Sequence, residues 1–417
     1  MNIAKPAKPA KPFHAPQTQF AVVDDCLQIG GMPLTRLAQR VGSTPFYAVD
    51  RSLLSSRVQY LRSVLPTQLS LHYSVKANPM PALVQHMAGL VDGLDVASGG
   101  ELKVALDTPM PAASISFAGP GKTEAELSQA VAAGIVVNVE SVTELQRLDR
   151  IGAALGIRPA VVLRVNPDFE LKSSGMKMSG GPKPFGLDAE IVPDVLKQIA
   201  AMGLDFLGFH IFSGSQNLKA AAIIEAQEKT FELAFRLAEH APQPVTSLNI
   251  GGGFGIPYFP GELALDVAPI AEHLHASLPR AHAELPQAKV ALEFGRYLVG
   301  EAGIYVSRVT DIKRSRGELF IVTDGGLHHH LAASGNFGQV IRKNYPVAIG
   351  NKMSSRGAGS ASVVGPLCTP LDILADQMDL AHAEIGDLIV VFQSGAYGLS
   401  ASPTAFLGHP LASEVLA

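Results

Sequence analysis

Short β-rich segments alternate with longer amphipathic segments along the chain from Phe46 to about Leu298. This alternation is typical of βαβ units, in which helices connect parallel strands. Strands are predicted at residues 71–75, 93–97, 114–118, 135–139, 160–165, 206–211, 247–251 and 289–294. Eight such units in roughly 250 residues predict an α/β fold of the TIM-barrel type, a (β/α)₈ barrel over residues 45–300. A doubly wound sheet is the alternative, but it usually has fewer and less evenly spaced strands.

The pattern of apolar and turn-forming residues changes beyond residue 300. Apolar or alternating segments are separated by turns rich in glycine and proline, and they fall at residues 304–312, 318–323, 362–364 and 387–392. Long amphipathic segments are missing, so we expect a second, mostly β C-terminal domain over residues 301–417. A predicted strand at residues 20–27 and a short helix at 33–41 precede the barrel. We assign residues 20–44 to the second domain, which then includes an N-terminal strand.

Composition limits the class of protein. Of 417 residues, 47% are hydrophobic and 17% are charged, which suits a folded chain with a core. A net charge of −4 without basic clusters argues against nucleic acid, and no apolar segment is long enough to span a membrane. Cys26 and Cys368 are far apart and fit a reducing cytoplasm. The proline-rich N-terminus lacks the apolar core of a secretory signal, so residues 1–19 are expected to be a disordered tail.

In barrel enzymes the functional residues follow the strands, at their C-terminal ends. The first predicted strand ends at Lys76. A lysine that closes a core strand is unfavourable unless it is used or paired. We interpret Lys76 as an amine that forms a Schiff base, made nucleophilic by a lowered pKa. The alternative is a lysine that extends from the barrel mouth into solvent.

The sixth and seventh predicted strands end in residues suited to a flat, phosphorylated ligand. His210 can stack on a cofactor ring while the Ser213 hydroxyl donates to oxygens of the same ligand. The alternative is a hydrogen-bonded core histidine. Gly251, Gly252 and Gly253 leave backbone N–H groups free to bind an anion. Barrels often bind phosphate after strands seven and eight, which strengthens the interpretation of this glycine run.

Glu293 lies on the eighth predicted strand, and Arg296 follows it. A buried carboxylate is rare without a cationic partner, so Glu293 either pairs with Arg296 or faces a protonated ring nitrogen. Arg296 can also reach the phosphate predicted at the glycine run. A Schiff-base lysine, a stacking imidazole, a phosphate site and an acid for a ring nitrogen together match pyridoxal 5′-phosphate, which acts as an electron sink.

The motifs that contain these residues resemble those of a known family. They are YSVKAN at 73–78, GFH at 208–210, GGGFG at 251–255 and EFGR at 293–296. They resemble the alanine-racemase-fold (fold type III) pyridoxal-phosphate-dependent decarboxylases, which act on diaminopimelate, ornithine and arginine. The resemblance covers nearly all of residues 46–407, with the motifs in family order. It implies an enzyme, an amino-acid carboxy-lyase, with a barrel followed by a β domain.

Three further motifs extend the resemblance: GLDVAS at 93–98, GPLC at 365–368 and GAY at 395–397. By this resemblance Asp95 lies near the cofactor and Tyr397 contacts its phosphate. Cys368 would protonate the α-carbon after carbon dioxide leaves, and it is supplied by the second subunit. The resemblance thus implies a homodimer with shared active sites and the catalytic residues Lys76, His210 and Cys368.

The chain departs from the family where the far end of the substrate binds. In the diaminopimelate and ornithine enzymes an acidic residue follows the cysteine, whereas here the neutral Thr369 does. The diaminopimelate group also has an arginine in an Ile-Arg-Pro segment, and Arg342 is kept here without the proline. The resemblance assigns substrate contacts to Arg342, Tyr345, Thr369 and Asp372. The neutral threonine argues against free diamino-acid substrates, because it cannot pair with a distal ammonium.

The Cys-Thr-Pro sequence resembles that of a decarboxylase acting on glutamate tethered to a carrier protein. The whole chain most resembles the pyridoxal-dependent decarboxylases associated with exosortase-A systems. We therefore predict a decarboxylase of an amino acid that is either free or bound to a carrier protein. The alternatives are diaminopimelate decarboxylase of lysine biosynthesis, an amino-acid racemase and a non-catalytic pyridoxal-phosphate-binding protein. His328 and His330 would share one face of a strand, but without a carboxylate or thiol nearby in sequence no metal site is predicted.

Overall fold

The computed structural model describes residues 13–170, 176–177, 180–355 and 359–417. Of the disordered tail predicted over residues 1–19, residues 1–12 lie outside the described residues. Residues 13–19 run along the folded chain, where His14 Nε2 lies 2.8 Å from the carbonyl oxygen of Asn344. The Gln19 amide donates to the carbonyl oxygen of Glu301 at 3.3 Å. This part of the predicted tail therefore packs on the protein, because its polar side chains find backbone partners.

The N-terminal segment folds into a small sheet and a helix. Its elements are β1 (Val22–Val23), β2 (Cys26–Ile29), β3 (Met32–Pro33), α1 (Leu34–Val41) and β4 (Phe46–Val49). β1, β2 and β3 form an antiparallel three-stranded sheet. The strand predicted at residues 20–27 is instead a tight hairpin, because Asp24 and Asp25 adopt positive φ values and reverse the chain.

Eight parallel strands form a closed barrel in the middle of the chain. The strands of this region are β5 (Ser70–Ser74), β6 (Gly93–Val96), β7 (Ile115–Phe117), β8 (Val136–Val139), β9 (Ala160–Asn166), β10 (Met176–Lys177), β11 (Leu187–Asp188), β12 (Asp205–Ile211), β13 (Gly214–Ser215), β14 (Ser247–Gly252) and β15 (Lys289–Phe294). The barrel order is β5, β6, β7, β8, β9, β12, β14 and β15, and β15 pairs with β5 to close it. The predicted TIM barrel is confirmed, with all eight strands at the predicted places. β11 pairs with the end of β9, and β10 pairs with β13.

Helices connect the barrel strands. They are α2 (Arg51–Val64), α3 (Pro81–Ala88), α4 (Gly99–Leu106), α5 (Glu124–Ala133), α6 (Val142–Leu155), α7 (Val192–Ile199), α8 (Ala220–Ala238), α9 (Ala268–Glu284) and α10 (Arg296–Val299). Ser98, Thr123 and Ser141 cap α4, α5 and α6 by accepting a hydrogen bond from a backbone N–H in the first turn. These caps fix the loops that follow three neighbouring strands, at the end of the barrel where the site lies. Across the described residues, no helix combines the length and apolar character needed to cross a membrane.

The rest of the chain forms a mostly β second domain, as predicted. Its strands are β16 (Gly303–Ser315), β17 (Glu318–Thr323), β18 (Val347–Ile349), β19 (Gly359–Val364), β20 (Ile373–Leu380), β21 (Leu388–Val391) and β22 (Ser413–Leu416). They pair in the order β18, β21, β16, β17, β19 and β20. β4 pairs antiparallel with β16 and parallel with β22. The predicted boundary at residue 45 gives β4 to the barrel, but its hydrogen bonds place the boundary after Val49.

An apolar cluster attaches the N-terminal segment to this second sheet. Phe20, Leu27 and Leu34 are buried together with Phe46 on β4 and Phe392 just after β21. The Phe20 and Phe392 ring centroids lie 6.0 Å apart. Residues 20–44 therefore contact the second domain through side-chain packing, and β1 does not join its sheet.

Replacing Leu292 with alanine tests the barrel core. Leu292 on β15 is fully buried, so Leu292→Ala should lower the free energy of unfolding by about 2–5 kcal/mol through lost burial and a residual cavity. Leu263 is 79% exposed, and Leu263→Ala should change that free energy by no more than about 0.5 kcal/mol. Urea denaturation followed by circular dichroism measures both. Equal losses for the two variants would contradict the core position of Leu292.

Candidate active site

A cavity of about 410 Å³ lies at the end of the barrel where the parallel strands finish. Most of the polar residues around it lie on or just after the last residues of a strand, so closure of the barrel brings them together from distant positions. Seven of the polar residues lining it are Ser74, Lys76, Asp95, Arg164, Glu293, Arg296 and Tyr397, and Ser215 and Tyr297 line it as well. Six of these seven are predicted site residues or lie in a predicted motif, and Arg164 is the exception.

The Glu293 carboxylate is the centre of the polar contacts in this cavity. Its Oε1 accepts a hydrogen bond of 2.6 Å from Ser74 Oγ and lies 3.7 Å from Lys76 Nζ. Its Oε2 lies 3.0 Å from His210 Nε2, although these two atoms are not aligned for a straight hydrogen bond. The Glu293 side chain is only 6% exposed, whereas that of Lys76 is 40% exposed because it faces the cavity. A carboxylate, an amine and an imidazole therefore share one enclosed space.

Mutual contact sets the ionisation of Glu293 and Lys76. Burial favours the neutral carboxyl, but Lys76, His210 and Ser74 together hold the pKa of Glu293 well below its usual range. Burial also disfavours the charged amine, but the nearby carboxylate raises the pKa of Lys76 above its usual value. The predicted lowering of the Lys76 pKa is therefore wrong for this geometry. The reason is that β15 pairs with β5 and places Glu293 beside the end of β5.

Several buried polar atoms around the cavity have no hydrogen-bond partner among the described residues. They are Nδ1 of His210, Oδ2 of Asp95 and Nε of Arg296, whereas Nε2 of His210 has its contact with Glu293. Oδ1 of Asp95 is engaged, since it accepts 2.6 Å from Ser116 Oγ and lies 3.2 Å from His72 Nδ1. Buried polar groups are normally paired in folded proteins. These orphaned atoms therefore indicate a site built to receive a polar ligand.

The glycine run at the end of β14 provides a backbone surface without side chains. Gly251 and Gly253 have φ values of 69° and 75°, which favour glycine. A Cβ on Gly252 would overlap the carbonyl oxygen of Glu293, and one on Gly253 would overlap another backbone carbonyl. Ser213, Gly252 and Gly253 line a small cavity that adjoins the main one. The Gly251 N–H already donates to Asn249 Oδ1 at 2.8 Å, so the anion site predicted over the whole glycine run stays a prediction.

Arg296 lies between two tyrosines. Its Nη1 donates to Tyr258 OH at 2.8 Å, and its guanidinium carbon lies 4.6 Å from the Tyr397 ring centroid. The alternative of a Glu293–Arg296 ion pair is therefore not realised. The backbone N–H of Tyr397 donates to the carbonyl oxygen of Ala77 at 2.7 Å. This bond ties a loop of the second domain to the segment that carries the cavity lysine.

These residues fit pyridoxal phosphate. The glycine backbone leaves room for a phosphate, the buried His210 imidazole suits the face of a ring, and the ionised Glu293 suits a protonated ring nitrogen. Lys76 supplies an amine within the same cavity. The chemical requirements are met by side chains from four separate barrel strands and one loop of the second domain.

A protein-family model described as pyridoxal-dependent decarboxylase, pyridoxal binding domain, matches residues 51–300, which is more than half of the chain. The chain belongs to the pyridoxal-dependent decarboxylases. The family, the fold and the cofactor predicted from the sequence are thereby confirmed. The protein is a decarboxylase enzyme that uses pyridoxal phosphate.

Similar proteins differ in the substrate that their names give. The chain is 37% identical over 389 residues to L-glutamyl-[BtrI acyl-carrier protein] decarboxylase of Niallia circulans, covering 92% of this chain and 90% of that protein. It is 34% identical over 396 residues to diaminopimelate decarboxylase of Aquifex aeolicus, covering 94% and 91%. The crystal structure of diaminopimelate decarboxylase from M. jannaschii in complex with L-lysine matches with a TM-score of 0.85 at 26% identity, covering 95% and 92%. The narrower likeness to exosortase-associated members stays a prediction.

A buried ionic network that was not predicted from the sequence lies on one side of this decarboxylase cavity. Arg164 Nη1 donates to Glu140 Oε1 at 2.8 Å, and the same oxygen accepts from the Gly119 N–H at 2.6 Å. Next to it, Lys122 Nζ donates to Glu144 Oε1 at 2.6 Å, with both side chains almost fully buried. A charged residue within an apolar strand, as Arg164 is in β9, was the signal that would have found this network.

The Cys368 loop lies between β19 and β20, and neither Cys368 nor Thr369 lines the cavity of its own chain. Cys368 is exposed. Asp372 holds the loop, because its Oδ1 accepts from the Leu327 N–H at 2.6 Å and its Oδ2 from the Leu367 N–H at 2.8 Å. Both carboxylate oxygens of this buried residue are occupied by backbone amides. We therefore assign Asp372 to holding the loop in place, in contrast to the predicted substrate contact.

Arg342 and Tyr345, two of the predicted substrate residues, lie in different surroundings on the segment before β18. The Arg342 guanidinium donates to the carbonyl oxygen of Ser334, burial lowers its pKa, and it does not line the cavity. The residue of this segment that lines the cavity is Phe337. Tyr345 is buried with its ring centroid 4.6 Å from that of Tyr258, beside Arg296 in an adjoining groove.

The histidine run does not lie on a strand. His328, His329 and His330 are buried in an irregular segment between β17 and β18. Burial is the main cause that lowers the pKa of His328 to about 4 and that of His330 to about 3. His330 Nε2 lies 2.9 Å from Ser394 Oγ. In the part of the chain that the structure describes, no group of three His, Cys, Asp or Glu side chains is arranged to hold a metal ion.

Replacing Glu293 with glutamine should lower the pKa of the Lys76 amine, because burial then acts without the opposing carboxylate. In the cofactor-free enzyme, modification of Lys76 by an amine-reactive reagent should then begin at lower pH than in the wild type. Peptide mass spectrometry across a pH series measures this. Ser74→Ala is the matched control, since it removes one hydrogen bond but keeps the charge of Glu293, and it should shift the profile less. An unchanged profile in Glu293→Gln would contradict the assigned coupling.

Proposed function

We propose that this decarboxylase removes the α-carboxylate of a glutamyl group attached to a carrier protein. The attachment must use the side-chain carboxyl group, because the α-carboxylate leaves as carbon dioxide and the α-amine must be free to react. Carrier proteins hold acyl groups as thioesters. The far end of the bound substrate is then neutral, unlike the charged end of a diamino acid.

The apolar part of the cavity lining is the observation that carries this proposal. Phe337 lines the cavity in the segment that was expected to supply Arg342. Phe185 and Phe212 line it as well. A neutral chain packs against such side chains without leaving a charge unpaired, whereas a distal ammonium would lose its hydration there. The name of the Niallia circulans relative, given above, supports the same substrate class.

Pyridoxal phosphate, when bound, supplies a sink for the electron pair left on the α-carbon as carbon dioxide departs. We assign Lys76 to hold the cofactor covalently and His210 to pack on its ring. Glu293 would face the ring nitrogen, and Asp95 would support the site from β6. The residues assigned to the phosphate are Ser213, Gly251, Gly252, Gly253, Arg296 and Tyr397.

Glu293 acts by staying ionised. Its pKa lies well below neutrality, so at neutral pH the carboxylate would accept a hydrogen bond from a protonated ring nitrogen and would keep the proton there. Ser74 Oγ holds Oε1 at 2.6 Å and fixes the plane of the carboxylate. The closed barrel excludes bulk water from this contact, which strengthens it relative to the same contact in solvent.

We further propose that the active enzyme is a homodimer in which the partner's Cys368 completes each cavity. Cys368 is exposed and does not line its own cavity, so its role as proton donor to the α-carbon requires a second copy. The neighbouring surface is apolar, with Val340, Ile341 and Leu371 all more than half exposed. Exposed apolar patches of this kind are typical of protein interfaces.

The dimer proposal predicts complementation between two inactive variants. Lys76→Ala and Cys368→Ala should each lose nearly all activity, but an equimolar mixture that has exchanged subunits should recover about one quarter of wild-type sites. The reason is that half of the dimers are mixed, and each mixed dimer contains one intact site. Carbon dioxide release before and after subunit exchange measures this. A mixture that stays inactive would contradict shared sites, and wild-type activity of Cys368→Ala alone would contradict the proton donor.

A substrate panel tests the proposed reaction. Carbon dioxide release from the cofactor-loaded enzyme should occur with glutamyl thioester on a carrier protein. The rate of carbon dioxide release should be lower by about tenfold or more with the free amino acids diaminopimelate, lysine, ornithine, arginine and glutamate. The reason is that a free substrate with a charged far end lacks one charge-assisted contact in this cavity. The Lys76→Ala variant is the control for release that does not depend on the cofactor.

Diaminopimelate decarboxylation is the second candidate, favoured by the 34% identity to the Aquifex aeolicus enzyme of that name. Arg164 and Arg296 line the cavity and would have to bind the distal carboxylate. Efficient release from free diaminopimelate, with none from the tethered glutamyl group, would overturn the carrier-bound substrate in favour of this one.

A further inference from the structure

A groove of about 440 Å³ adjoins the active-site cavity. Arg296, Phe337 and Tyr397 line both spaces, so the cavity and the groove meet at these three side chains. We refer to this space as the outer groove. Beyond the shared residues, its lining includes Leu218, Lys219, Tyr258, Phe259, Gln339 and Tyr345. It leads from the cavity that contains Lys76 to the exposed Lys219 at the start of α8.

The walls of the outer groove are aromatic and amphipathic. The Tyr345 ring centroid lies 4.6 Å from that of Tyr258 and 5.9 Å from that of Phe259. The carboxylate of Glu262 also lines the groove, but its Oε2 already accepts from the N–H groups of Tyr258 and Phe259 at 2.9 and 3.0 Å. Tyrosine and phenylalanine rings bind extended chains of methylene and amide groups well, since they offer apolar area with a polar edge.

Two cations border the outer part of this groove. Lys219 is exposed, and the first turn of α8 that follows it contains no acidic residue. Lys343 Nζ lies 5.5 Å from the Phe259 ring centroid. Among the described residues, neither ammonium has an ion-pair partner. An anion in the groove would therefore be attracted by these two ammonium groups, which outnumber the one carboxylate, Glu262, in its lining.

We propose that the outer groove binds the phosphopantetheine arm of the carrier protein, with its phosphodiester near Lys219 and Lys343 and its thioester end passing Phe337. The arm is a flexible chain of amides and methylenes that ends in a phosphodiester, and the groove offers aromatic walls with two cations beside them. This inference rests on the proposed carrier-bound substrate. It adds a route by which a tethered group enters the cavity, and it makes Lys219 and Lys343 determinants of specificity.

A binding experiment tests the groove without any decarboxylation. The probe is 4′-phosphopantetheine labelled with a fluorophore on its thiol, and anisotropy is measured with the cofactor-loaded enzyme. The double variant Lys219→Glu/Lys343→Glu should weaken binding by about tenfold, since charge reversal removes the attraction for the phosphate. Removing the phosphate from the probe should weaken wild-type binding similarly. The control is Lys313→Glu, an exposed lysine on β16 away from the groove, which should bind like the wild type.

Kinetics provide the second measurement. The ratio of kcat/KM for the carrier-bound substrate to that for a short glutamyl thioester without the phosphate should fall in the double variant and in Leu218→Trp, which fills the groove. Equal probe binding in the wild type and the double variant would overturn the groove, as would an unchanged ratio in the double variant. Charge-dependent probe binding without release from any tethered substrate would keep the groove and refute the proposed reaction. Carbon dioxide release from the tethered substrate by an enzyme that does not bind the probe would refute the groove and keep the proposed reaction.

Discussion

The contact of one buried carboxylate with an amine, a hydroxyl and an imidazole organises this active site. Glu293 lies within 3.7 Å of Lys76 Nζ, Ser74 Oγ and His210 Nε2, and these residues come from three different barrel strands or their ends. An ionised carboxylate in an enclosed space is unfavourable unless its partners are held in place. The parallel pairing of β15 with β5 closes the barrel, and β14 lies between β15 and β12. The barrel therefore holds the partners of Glu293 in place.

The second domain completes the site instead of merely following the barrel. The Asn78 amide donates to the carbonyl oxygen of Gly395 at 2.9 Å, and the Tyr397 N–H donates to Ala77. These bonds join the Lys76 segment to the loop that carries Tyr397. β4 and β22 reinforce the same junction, since β4 precedes the barrel in sequence yet pairs within the second sheet. Movement of one domain against the other would therefore disturb the lysine and the predicted phosphate contacts together.

Substrate choice depends on side chains whose positions the motifs do not fix. Asp372 lies in the same motif as Cys368, the predicted proton donor, yet both of its oxygens bind backbone amides. Arg342 was expected to meet the substrate, yet Phe337 from the same segment lines the cavity. Phe185, Phe212 and Phe337 make part of the cavity lining apolar. The proposed neutral, tethered substrate rests on this lining and on the groove that adjoins the cavity.

The sequence by itself determined the barrel, the mostly β second domain, the family and the cofactor. Strand periodicity is local, and the motifs with Lys76, Gly252 and Glu293 follow strand ends that converge in any closed parallel barrel. Only the tertiary structure decided the direction of the Lys76 pKa shift, the Arg164–Glu140 network, the loop-holding role of Asp372 and the membership of β4 in the second sheet. Each of these depends on a contact between residues distant in sequence, and neither spacing nor composition specifies which side chains meet.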